Sequence, residues 1–192
     1  MFSILRASLT TIIALTLATG VCAAQAHEHR GFWIGFGLGG GVNLNDGLDG
    51  ERLSGGSGYL RLGGTPSQRV LLGFEGNFWG RDQDGATIAR GNGTFVTMFY
   101  PSTQGGGFLK GGVGWASISR ETTLGNSTTT TAEGGFGLTV GAGWDVKIGR
   151  NIYLTPNADV LFQWFDAKDD PVLGKIPGNN TILMVTMGLT WH

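Results

Sequence analysis

From Phe136 to Ile148 the sequence alternates without a break. Every even position is apolar (Phe136, Leu138, Val140, Ala142, Trp144, Val146, Ile148), and every odd position is glycine, polar or charged (Gly137, Thr139, Gly141, Gly143, Asp145, Lys147). Successive side chains of a strand point to opposite faces, so a two-residue period specifies a strand with one apolar face. These 13 residues exceed an ordinary soluble strand. They suffice to cross a bilayer, which takes roughly 9–11 tilted residues.

The pattern recurs along the chain and predicts eight strands, at about 31–43, 57–64, 70–80, 87–100, 106–119, 136–148, 152–165 and 180–192. In the fourth the apolar residues Phe95, Val96, Met98, Phe99 and Tyr100 occupy both faces, so its parity is open. Pro156 in the seventh lacks a ladder donor, and a local bulge is expected there. The connections alternate long and short. An even number of antiparallel strands with short turns at one end and long loops at the other is the layout of bacterial outer-membrane barrels. In that layout both termini are periplasmic and the four long loops face outside.

The alternation alone leaves inside and outside undecided, and composition decides it. Charged residues are 14% of the chain, against roughly a quarter in soluble domains, and 36 of 192 residues are glycine. A face holding Glu75, Asp145, Lys147, Asp159, Asn157 and many glycines makes a poor solvent coat and a good crowded polar lumen. The opposite face, rich in Phe, Trp, Leu, Val and Ile, suits lipid. Phe32, Phe78, Trp115, Trp144, Trp164 and Trp191 suit interfacial girdles. The fold class is therefore all-β, an eight-stranded antiparallel up-and-down transmembrane barrel rather than a soluble one. The net charge of -1 offers no field for nucleic acid.

Residues 1–26 read as a secretory signal peptide: Arg6, an apolar run over 7–18, then small residues ending Ala24-Gln25-Ala26. Residues 27–192 form the barrel domain. Cys22, the only cysteine, falls inside the signal, and Val21 before it is a poor residue for lipidation.

Three stretches carry a family resemblance: Gly31-Phe-Trp-Ile-Gly-Phe-Gly-Leu-Gly-Gly-Gly41, Gly111-Gly-Val-Gly-Trp115 and Gly188-Leu-Thr-Trp-His192. With them the chain resembles the small OmpA/OmpX-type outer-membrane barrels, including the opacity-protein-like members. The resemblance implies a non-enzymatic, monomeric outer-membrane protein with a structural or surface-interaction role, or else a narrow channel for small solutes. Its partners would be outer-membrane lipid, lipopolysaccharide and the barrel assembly machinery, which reads the last strand. Such strands usually end in an aromatic residue, whereas this chain ends in His192. No cofactor is implied.

Six charged residues fall on inward positions: Arg61, Glu75, Lys110, Asp145, Lys147 and Asp159. Buried charges must pair or meet water, so a lumen charge network is expected. A five-residue turn at 65–69 would set Tyr59 opposite Glu75, with Arg61 on the diagonal and in contact with Glu75. The network could gate a narrow pore, as proposed for similar barrels, or simply plug the lumen. The inward glycines Gly35, Gly37, Gly39, Gly137, Gly141 and Gly143 could line an apolar cavity, or could ease curvature and accommodate Trp33, Trp79 and Phe165.

Enzymatic activity is not expected. Lipid A deacylases of this architecture need a His–Ser pair at the outer surface. After residue 26 the histidines are His27, His29 and His192, all terminal. A chain beginning His27-Glu28-His29 could hold Cu(II) or Ni(II) in a square-planar nitrogen site. The loop acids Asp46, Asp49, Glu51, Asp82, Asp84, Asp166, Asp169 and Asp170 could bind Ca²⁺ or a surface partner, but they lack EF-hand spacing.

Overall fold

The computed structural model describes residues 29–44, 52–83, 86–124, 127–170, 174–176 and 178–192. The signal segment, His27, and Asp46, Asp49, Glu51 and Asp84 lie outside these. Eight long strands form the wall: β1 (Gly31–Asn43), β2 (Leu53–Ser67), β3 (Val70–Gln83), β4 (Ala86–Phe99), β5 (Gly107–Leu124), β6 (Ser127–Trp144), β7 (Ile152–Trp164) and β8 (Asn179–Trp191). The pair Val146–Lys147 continues β6, and a small hairpin of Lys168–Asp170 and Gly174–Ile176 lies between β7 and β8. Each strand pairs antiparallel with the next, and β8 returns to β1, with Phe36 opposite Leu189. The sheet closes on itself, so its wall leaves no free edge strand to template aggregation.

The two faces separate as the alternation dictates. Trp115 is 55% exposed on the outer wall, whereas Trp79 is 1% exposed inside. Phe32, Phe36, Leu38, Phe78, Leu109, Val113, Phe136, Trp144, Trp164, Val185 and Trp191 are likewise exposed and form a band around the barrel. On a wall with no water-facing polar coat at that height, such a band matches hydrocarbon. β4 resolves its parity with Phe95 and Phe99 outward and Val96, Met98 and Tyr100 inward.

Four expectations are corrected. First, β5 and β6 do not stop at Ser119 and Phe136. Their ladder continues to Leu124 opposite Ser127, through a stretch that reads as a threonine-rich loop. β-Branched threonine favours a pleated strand even where no apolar face marks it. The 81–86 connection is likewise mostly strand, leaving residues 84–85 between β3 and β4. Second, β2 runs to Ser67 with an irregularity between Gly64 and Ser67, so the turn shortens to Gln68-Arg69. Arg61 then stands directly opposite Glu75, and Tyr59 opposite Asn77. Third, Pro156 produces no bulge. The β6–β7 ladder lapses between Gly143–Asn157 and Val146–Leu154, where proline has no N–H to give, and it resumes in the same register. Fourth, the lumen is not polar throughout. Apolar clusters fill it towards both ends, with charge between them. Trp33, Leu71, Val96, Met98, Tyr100 and Phe108 lie at the turn end. Leu53, Trp79, Leu161, Ile182 and Met184 lie at the loop end. Leu71, Leu161 and Met184 all sit at inward positions.

Candidate functional site

The middle of the lumen holds four of the six expected charges in contact. Lys110 Nζ, from β5, donates to both Glu75 carboxylate oxygens at 2.6 and 2.7 Å. It also sits 3.0 Å from Asp159 Oδ1. Arg61 Nη1 lies 3.9 Å from Glu75 Oε2. All four side chains are at 0% exposure. Two cations against two anions cancel, as removal of charges from water requires. Asn77 Nδ2 donates to Glu75 at 2.9 Å, and Asn157 Nδ2 donates to Asp159. The Arg61 guanidinium stacks on Tyr59 (4.6 Å to the ring centroid) and reaches Phe108 (5.2 Å).

Glycines decide which of these residues can touch. Gly141 lies between Lys110 and Asp159 in the β5–β6–β7 row. A Cβ there would strike Asp159 Oδ1 and come within 3.0 Å of Lys110 Cε. Gly35 likewise separates Arg61 from Thr190, and Arg61 Nη2 donates across it to Thr190 Oγ1 at 3.2 Å. The Tyr59 ring covers Gly37 and Gly188, and Phe108 covers Gly143. The space over these inward glycines is therefore occupied, which removes the apolar cavity there. Trp79 uses Gly41 and Gly55, Trp33 uses Gly73, and Phe165 uses Gly135.

Asp145 and Lys147 stand apart from this cluster, nearer the turn end. Asp145 accepts from Tyr100 Oη at 2.7 Å and from Thr155 Oγ1 at 2.6 Å, with His192 Nε2 3.9 Å away. Lys147 is opposite Tyr153 and half-buried. Thr155 and Thr190 hydroxyls lie 2.9 Å apart. Because Thr155 donates to Asp145, Thr190 must donate to Thr155. A directed chain then runs Arg61 to Thr190 to Thr155 to Asp145. Alternation placed these threonines inward, but nothing in their spacing pointed to the chain. His192 packs on Tyr153 at 5.2 Å and on His29 at 4.4 Å, so the two described termini meet inside the turn end.

The closed eight-strand wall, its apolar exterior and its filled interior now fix the class of the fold. This is a small outer-membrane β-barrel fold. Neisserial surface protein A matches with a TM-score of 0.58 at 12% identity, covering 86% of this chain and 99% of that one. Ail, the attachment invasion locus protein of Yersinia pestis, matches at 0.57 and 12%, covering 85% and 100%. No protein-family profile and no curated protein sequence matches the chain.

Towards the loop end a second polar layer crosses the lumen of this barrel. Gln163 Nε2 donates to Gly91 O and to Asn92 Oδ1 at 3.0 and 2.9 Å. Asn180 Nδ2 donates to Gln163 Oε1 at 3.0 Å. Above it, Arg90 lies 5.9 Å from the Phe165 ring. Among the described residues no three His, Cys, Asp or Glu side chains are grouped to hold a metal. The chemistry on view is occlusion. Ion pairs and aromatic rings fill the cross-section, which in an eight-stranded barrel is only wide enough for side chains.

Proposed function

We propose that this protein is a non-enzymatic component of a Gram-negative-type outer membrane, with a structural or surface-interaction role. In this reading the turn end and both termini are periplasmic and the loop end faces outside. The observation that carries it is the filled lumen: Lys110, Glu75, Asp159 and Arg61 close the middle, with apolar clusters beyond them on both sides. What remains available to partners is the loop end, where the β5–β6 ladder projects beyond Trp115 and Phe136 at the edge of the apolar band. The names of the two matched proteins, one a surface protein and one an attachment invasion protein, suit this role.

Cysteine labelling tests the orientation, since the chain has no cysteine after residue 22. Thr130→Cys, on the projecting ladder, should react with an impermeant maleimide on intact cells, and Gln104→Cys, in a turn, should not. The reverse pattern would contradict the reading.

A narrow channel is the second reading, and one observation favours it. Lys110 already touches two carboxylates, so a shift of partner within the cluster is a short movement.

A further inference from the structure

The two histidines at the turn end meet nitrogen to nitrogen. His29 precedes β1 and His192 follows β8, the two strands whose pairing closes the barrel. His29 Nδ1 lies 3.4 Å from His192 Nδ1. The ring centroids are 4.4 Å apart at 70°, so the nitrogens rather than the ring faces are the near points. A tetrahedral zinc ion at roughly 2.0–2.1 Å from two imidazole nitrogens holds those nitrogens about 3.3–3.4 Å apart.

Neighbouring groups hold each ring in place. Tyr100 packs on His29 at 4.2 Å, and His29 N donates to Gln68 Oε1 at 3.1 Å. Tyr153 meets the His192 ring at 5.2 Å, and His192 N donates to Asn151 O at 3.2 Å. His29 and the His192 ring are both buried. On its far side His192 Nε2 lies 3.9 Å from Asp145 Oδ2. A carboxylate there favours the tautomer with its proton on Nε2, which leaves the lone pair on Nδ1. Metal-bound histidines almost always turn their second nitrogen to a carboxylate, a carbonyl or water, and Asp145 stands in that place. With His192 Nδ1 as acceptor, His29 Nδ1 carries the proton between the rings. An ion replaces that proton, which passes to His29 Nε2.

We infer that His29 and His192 are the two protein ligands of a divalent transition-metal site of the zinc class at the turn-end mouth. Imidazole nitrogen suits such ions, and water completes the coordination from the mouth. Because its ligands flank β1 and β8, the ion staples the seam at which the barrel closes. A square-planar site on residues 27–29 alone would not use His192. The staple holds whichever way the barrel faces in the membrane.

The probe is zinc chloride, titrated calorimetrically into the mature barrel in neutral detergent, without a polyhistidine tag. One zinc per barrel is expected. Zinc should also raise the thermal midpoint, because an ion that binds only the closed barrel stabilises it. His29→Gln and His192→Gln should each weaken zinc binding tenfold or more and remove the midpoint shift. The shift is the readout rather than the starting midpoint, so a merely structural role of either ring would leave it intact. His27→Gln should change neither quantity. Absence of saturable binding to the unmodified barrel would overturn the inference. So would unchanged binding in His192→Gln, which would place the ion on the N-terminal segment. Should a variant fail to fold, nitrogen-15 NMR of the unmodified barrel decides the matter. Zinc should move the Nδ1 resonances of two histidines together, and movement of one alone or of none would overturn the staple.

Discussion

Lys110 and Asp159 meet at 3.0 Å because Gly141, which lies between them in the sheet, has no side chain. Neighbouring strands are too close for two inward side chains to pass a third. A glycine in the row removes the obstruction. The same device lets Arg61 reach Thr190 over Gly35.

Gly141→Ala should therefore destabilise the barrel by about 1–3 kcal/mol, the usual cost of overpacking a filled interior. The added methyl meets Asp159 and the Lys110 stem directly. Reversible urea unfolding in lipid vesicles measures the loss. An unchanged midpoint would show that the row is not packed as described.

Lys110→Met removes the cation that touches both Glu75 and Asp159. Stranding buried carboxylates costs about 3–5 kcal/mol, whereas replacing a whole buried ionic cluster with neutral groups is often nearly neutral. The single variant should thus be far less stable than Lys110→Met/Asp159→Asn, which removes one cation with one anion and leaves Arg61 facing Glu75, in the same unfolding assay. Equal stability of the two would mean that the charges do not act as one cluster.

Thr155→Val breaks the chain from Arg61 to Asp145 and leaves Asp145 Oδ1 without its 2.6 Å donor. The expected loss is about 1.5–3 kcal/mol, the usual worth of a hydrogen bond to a charged group. Thr190→Val should add little in the Thr155→Val background, because both act through the same chain. Full additivity in a double-mutant cycle would contradict the coupling.

The barrel was legible in the sequence because lipid enforces a two-residue period on one face, so Phe136–Ile148 announces its own geometry. What lipid does not touch was harder to read. The β5–β6 ladder beyond Trp115 has no apolar face, and its threonines read as loop. The opposition of Arg61 and Glu75 depends on a two-residue turn at Gln68-Arg69, which alternation does not encode. Inward parity held for Asp145, yet its place beside Tyr100 and Thr155 rather than Lys110 is a matter of height along the axis. Period two fixes which face a residue takes and leaves its layer open. The apolar interior of Leu71, Leu161 and Met184 escaped the polar-lumen reading for a related reason: a sealed lumen rewards packing as much as polarity.

Planar-bilayer recording of the purified barrel tests the closed lumen most directly. With Lys110, Glu75, Asp159 and Arg61 in contact and apolar clusters above and below, the account predicts no unitary ion conductance. A steady conductance that vanishes on thermal unfolding of the barrel, and that changes size in Glu75→Ala, would contradict it and establish the channel.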